Sequence, residues 1–114
     1  MPGFTEVNQD LARIAQELET KGAELEAARE AYLLKKAEYE NAFAAEMLHS
    51  KLANPEMTQT DIKAKATTAT HKLHLDLVIA ECAYKRLSNQ IRNMRDRLEA
   101  LREVSFNLRK EASL

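Results

Sequence analysis

Sheet-forming residues are scarce in this sequence. Valine and isoleucine together number 7, aromatics are 5% of the chain, and there are 2 glycines, 2 prolines and no tryptophan. A β-sheet needs β-branched and aromatic residues on its faces and turn-formers between its strands. A sheet architecture is therefore excluded. The single cysteine, Cys82, rules out an internal disulfide and a zinc ribbon. It fits a reducing compartment, and a cytoplasmic location is expected. No glycine-rich phosphate loop and no Cys-x-x-Cys pair occurs. No apolar run approaches the ~20 residues of a membrane span. The opening MPGFTEVNQD has no basic stretch followed by an apolar core. Neither a membrane contact nor a signal peptide is expected.

What remains is helix-forming material. Alanine contributes 18 residues and leucine 15, charged residues are 31%, and the mean hydropathy is −0.49. Such a composition with few breakers indicates long, soluble helices. A length of 114 residues fits a single domain, 1–114.

Read in sevens from Phe4, one row runs Phe4, Leu11, Leu18, Leu25, Tyr32 and Tyr39. Its companion row is Val7, Ile14, Lys21, Ala28, Lys35 and Ala42, apolar at first and then mixed. This is a coiled-coil stripe with an imperfect second half. Gly22 inside it either marks a kink or a close backbone approach, or is simply tolerated at about 1 kcal/mol against alanine. Pro55 removes an amide donor and pushes Asn54 out of helical geometry. Thr58 and Asp61 have capping-box spacing, with aspartate in place of the usual glutamate. Helix 1 is therefore expected over about 4–52, a turn over 53–58 and helix 2 over about 59–112.

Helix 2 repeats more regularly. Its stripe is Leu73, Leu77, Ala80, Tyr84, Leu87, Ile91, Met94, Leu98, Leu101, Ser105, Leu108 and Ala112, weakening upstream to Ala66 and Thr70. Two long helices joined by a short connection predict an all-α fold, an antiparallel helical hairpin of two coiled-coil helices. Between Leu73 and Leu87 there is more apolar surface than one seam can use, because Leu75, Val78, Ile79 and Cys82 lie on other faces. A bent hairpin covering its own middle is one solution. A second copy of the chain is the simpler one, so a homo-oligomer is expected with these four residues at its interface.

The net charge of −1 hides an asymmetry. Residues 1–50 carry 5 basic and 10 acidic side chains, whereas residues 85–110 carry 8 basic and 3 acidic ones. In an antiparallel hairpin the acids could simply zip against the bases. Arg95, Arg102 and Arg109, however, recur every seven residues just after the core positions, in the e row. The e row expected to face them on helix 1 is Asn8, Ala15, Gly22, Arg29 and Lys36, which holds no acid. The acidic row Asp10, Glu17, Glu24 and Glu38 flanks the other side. The arginines are then left for the acids of another subunit or for phosphates, and the guanidinium fork suits either anion.

Chemistry-bearing constellations are few. Glu46-x-x-His49 has the spacing of a di-iron bundle ligand pair, and His71-x-x-His74 is followed by Asp76. Neither has the further carboxylates such a site needs, so no metal, no cofactor and no enzymatic activity is expected. Thr67, Thr68 and Thr70 form a polar patch, and Cys82 reads as a packed thiol rather than a nucleophile.

In pattern the chain resembles the UvsY-like recombination mediator proteins of bacteriophages. The resemblance rests on the run YLLKKAEY from Tyr32 to Tyr39, the Met57-Thr58 start of the second half, and the tail RNMRDRLEALREVSFNLRKE from Arg92 to Glu111. It implies an oligomer that binds single-stranded DNA and helps load a recombinase onto strands covered by single-strand-binding protein, in the host cytoplasm. Arg92, Arg95, Arg102, Arg109 and Lys110 are the residues expected to hold the nucleic acid. The net charge departs from the usual basic balance of such binders. Aromatics available for base stacking are few, with Phe106 the candidate. The alternative is a helical protein-interaction module, such as a phage inhibitor of a host defence nuclease or an assembly scaffold, its acidic first helix imitating a nucleic acid. A prefoldin-type holdase fits less well, because the connection ANPEMT is too short to supply a β-hairpin.

Overall fold

The computed structural model describes residues 3–113, and these are helical almost throughout, with no strand among them. Three helices follow one another: α1 (Phe4–Ala53), α2 (Gln59–Ala69) and α3 (His71–Ala112). The first turn of α1 is closed by the Val7 amide donating to the Gly3 carbonyl at 3.1 Å, and the Gly3 amide donates to Glu6 Oε2 at 3.3 Å. Glu6 thus satisfies a donor that the helix itself leaves unpaired.

The interruption falls where Pro55 places it, within a residue of the expected boundary. The Met57 amide turns back to the Asn54 carbonyl at 3.0 Å, and Lys51 Nζ reaches past the end of α1 to the Pro55 carbonyl at 3.0 Å. Thr58 then caps α2: its backbone is extended (φ −70°, ψ 156°) and its hydroxyl accepts from the Asp61 amide at 3.2 Å. This is the donor-satisfying geometry its spacing predicts.

One expectation is corrected. The single second helix over 59–112 is two helices, parted at Thr70 (φ −105°, ψ 13°). Three threonines account for the break. The hydroxyls of Thr67, Thr68 and Thr70 donate to the carbonyls of Lys63, Ala64 and Ala66 at 2.7, 3.0 and 2.7 Å. Back-bonding of this kind loads the carbonyls four residues upstream with a second donor and bends the helix. The amides of Thr70 and His74 still donate to the carbonyls of Ala66 and Thr70 across the break.

The chain divides into two compact units, one of residues 1–27 with 85–114 and one of residues 28–84. In the first, Val7, Ile14, Ile91 and Leu98 are buried. Leu11, Leu18, Leu25, Met94, Leu101 and Leu108 are half-buried beside them. Ser105 is buried too, and its hydroxyl donates to Asn8 Oδ1 at 3.3 Å. A serine in an apolar stripe is thereby satisfied from the facing helix rather than left bare.

In the second unit the core is Ile62, Ala66 and Thr70 of the α2 segment together with Ser50. Ala66 and Thr70, the weakest steps of the sequence stripe, are among the most buried residues, with Ala66 at 0% exposure. Small side chains there allow close approach, as they do in any tightly packed seam. Further along, Tyr32 stacks on Tyr84 (centroids 5.7 Å apart, 16° between planes) and Tyr39 lies 5.1 Å from the His74 ring.

The lysines that spoil the companion row are explained by their reach. Lys21 and Lys35 are half-buried at seam positions, and their ammonium groups extend to Glu24 and Glu38 at 3.3 and 3.4 Å. Their stems cover apolar surface while the charge stays wet. Gly22 marks no close approach: a Cβ built there meets no atom within 4 Å. Of the readings of that glycine, tolerance is the one the structure fits.

Candidate nucleic-acid interface and apolar faces

Arg92, Arg95, Arg102, Arg109 and Lys110 are all exposed on α3. Residues seven apart on a helix lie near one face, so Arg95, Arg102 and Arg109 form one row about 10 Å per step. The structure divides the set. Arg92 and Arg95 border a surface depression with Leu25, Ser88 and Asp96. Arg102 and Arg109 border another with Phe4, Asn8 and Phe106. Arg109 also joins Lys110, Phe106 and Ser113 at the end of the helix. Asn8, the first residue of the acid-free row, is thus the α1 neighbour of the arginines, in line with the heptad register.

No salt bridge joins Arg95, Arg102 or Arg109 to another described residue. Three of the four acids of the flanking row are occupied elsewhere, and the fourth, Glu17, forms no ion pair. Asp10 pairs with Arg13 at 3.0 Å, Glu24 with Lys21 and Glu38 with Lys35, each an i,i+3 pair within α1. The counter-charge nearest in sequence lies on α3 itself: Asp96 and Glu99 border the depression of Arg92 and Arg95, and with Glu103 they border a further one.

Phe106 is 60% exposed and Phe4 42%. Neither ring stacks on another ring among the described residues. Two bare aromatics beside two unpaired guanidiniums form the most chemically distinctive patch of this unit.

The apolar residues assigned to an interface are also on the surface. Leu75, Val78 and Ile79 are exposed, Ile79 at 68%, and Cys82 is a free, exposed thiol. The chain does not bend to cover them. Sequence reasoning missed a second such face on α1, where Leu33, Leu34, Leu48 and Leu52 are exposed. The signal was present: Leu34, Ala37, Asn41, Ala44 and Leu48 keep heptad spacing out of phase with the seam residues Tyr32, Tyr39 and Ala42. Tracing only the dominant row hid the second.

Among the described residues no group of three or more histidine, cysteine, aspartate or glutamate side chains is placed to hold a metal ion. All three histidines are exposed, and His74 lies against the ring of Tyr39. No helix of the described residues is long and apolar enough to cross a membrane. No protein-family model, no curated protein and no solved structure matches the chain.

Proposed function

We propose that this chain is a non-enzymatic, oligomeric single-stranded-DNA-binding protein of the recombination-mediator type. It folds as an antiparallel helical hairpin, works in the cytoplasm, and assists a recombinase to displace single-strand-binding protein. The observation that carries the reading is the arginine row of α3, exposed and without an acidic partner, while Asp10, Glu24 and Glu38 of the acidic row of α1 are paired within their own helix. Unpaired guanidiniums on one face neutralise phosphates and release condensed counterions, which is the main source of affinity for a nucleic-acid backbone. The hairpin is supported by the bond from Ser105 to Asn8, which matches a late residue of α3 with an early one of α1, and by the stack of Tyr32, midway along α1, on Tyr84, nearer the start of α3. Self-association is supported by the exposed faces around Ile79 and Leu48, since contiguous apolar surface on a small protein marks an interaction site.

The test is oligonucleotide binding as a function of salt. Replacing Arg95, Arg102 and Arg109 together by glutamine should weaken binding regardless of base sequence. It should also flatten the dependence of log K on log salt by about 2, at about 0.7 per lost phosphate contact. Parent-like binding with the parent slope would remove the arginines from the site.

The second reading, a helical protein-interaction module, is favoured by the same apolar faces and by the acidic excess of residues 1–50. No binding to single-stranded DNA even at low salt would select it.

A further inference from the structure

The arginine row explains attachment to phosphates but gives the exposed rings no task. We propose that Phe106, with Phe4 beside it, is a stacking platform for an unpaired nucleobase, held in place by phosphates on Arg102 and Arg109. The inference rests on the single-stranded-DNA reading and adds to it a subsite that senses bases.

Position comes first. Arg102, Phe106 and Arg109 stand at i, i+4 and i+7 of α3, where helical neighbours three and four apart share a face. The ring therefore lies between two guanidiniums. Arg102 and Arg109 are about 10.5 Å apart along the axis, farther than neighbouring phosphates of one strand, so a strand that reaches both has a nucleotide to place between them. A strand laid along the row presents a base to Phe106 whenever its phosphates reach both arginines.

Surface chemistry points the same way. Phe106 is 60% exposed at a place where the stripe beside it, Ser105 and Leu108, already closes the seam. Most of the ring stands outside that core. It forms one wall of a depression of about 500 Å³ whose other borders include Phe4, Asn8, Arg102 and Arg109. Apolar walls with convergent donors suit a flat aromatic ligand whose edge carries acceptors. Ordinary peptide side chains use the apolar wall alone. An anionic chain with pendant rings uses both, and single-stranded nucleic acid is such a chain. Because every base has a π-face, stacking here would be sequence-tolerant. Glu103, three residues before Phe106, disfavours any ligand that brings its charge to that flank of the ring. Phosphates are confined to the arginine side.

The chain has no tryptophan, so Phe106→Trp introduces a lone reporter. In the full-length variant, a saturating thymidine 15-mer should quench the indole emission. An abasic 15-mer of equal phosphate count should bind, by anisotropy of a labelled end, without quenching. Phe106→Ala should weaken binding to the thymidine oligomer by roughly 5- to 150-fold, the range seen for loss of one stacked base. It should leave affinity for the abasic oligomer, the salt slope and the solution mass as in the parent. Bound thymidine oligomer with unchanged indole emission overturns the platform while leaving phosphate binding intact. A Phe106→Ala variant whose mass falls also overturns it, by making the ring a contact between copies. Absence of anisotropy change for either oligomer with the parent defeats the DNA-binding reading itself.

Discussion

Changing Ile79 to glutamate separates the fold of the chain from its assembly. In the isolated chain Ile79 is 68% exposed and lies on the side of α3 away from Leu77, Ala80 and Tyr84. A surface substitution of that kind usually moves stability by no more than about 0.5 kcal/mol, and glutamate is at least as good a helix former as isoleucine. If the face is closed by a second copy, the arithmetic changes. Burying a whole isoleucine side chain yields about 1.5–3 kcal/mol, and about two-thirds of that, ~1–2 kcal/mol, is still to be gained at the contact. A carboxylate trapped there without a partner costs a further ~3 kcal/mol or more. The sum exceeds about 4 kcal/mol per contact, close to a thousandfold in association. Size-exclusion chromatography with light scattering, over a range of protein concentration, should show the variant as a smaller species. Its circular dichroism should keep the parent's helical minima. A variant with the parent's mass at every concentration refutes the assignment of this face. A variant that loses its helix refutes the claim that Ile79 stands outside the core.

Three further outcomes follow from named contacts. Gly22→Ala should raise stability by up to ~1 kcal/mol, read as a higher Tm, because a Cβ there meets nothing within 4 Å and alanine is the better helix former. Thr58→Ala should cost about 1 kcal/mol in chemical denaturation, since the Asp61 amide loses its acceptor, while Thr58→Asn should restore most of it. Ala66→Leu should destabilise by ~1–3 kcal/mol in the same assay, because Ala66 has no exposed surface and its neighbours have no room for an isobutyl group.

The sequence made the helices legible because their signals are local and repeated. The proline at 55 and the hydroxyl of Thr58 act within four residues, the one ending α1 within a residue of the expected position and the other starting α2 at 59. The stripe from Leu73 to Leu108 is buried or half-buried at every step. The division at Thr70 was not legible, because three threonines in a helical run are ordinary until their hydroxyls are seen on the carbonyls of Lys63, Ala64 and Ala66. Position hid a different feature in α1. Lys21 and Lys35 read as defects in the seam, yet burial of a lysine stem with a glutamate at its tip is compatible with a packed stripe. The candidate site lay between these cases. Heptad register placed Asn8 opposite the arginines, but only the structure shows that Asp10, Glu24 and Glu38 are paired within their own helix.

A net charge of −1 does not stand against the proposed binding of a polyanion. Exposed charges farther apart than about 8 Å are largely screened at physiological ionic strength. A docked phosphate therefore responds to the local cluster and hardly at all to the formal total. Residues 85–110 carry 8 basic against 3 acidic side chains, and Arg95, Arg102 and Arg109, like Arg86, Arg92, Arg97 and Lys110, make no internal ion pair. Under the proposed function the row would offer only a handful of phosphate contacts, each weakened by salt, so one copy alone should bind loosely. Joining copies makes each later contact intramolecular and raises avidity without any new contact. The two proposed surfaces are then coupled in a way that separates them experimentally. Ile79→Glu should lower affinity for a long single strand but not for an oligonucleotide short enough to occupy one row, and it should leave the salt slope of the short complex unchanged. The triple arginine variant should flatten the slope for both lengths and leave the solution mass unchanged. Equal loss for short and long strands in Ile79→Glu would mean that assembly builds the DNA site itself and does not merely multiply it.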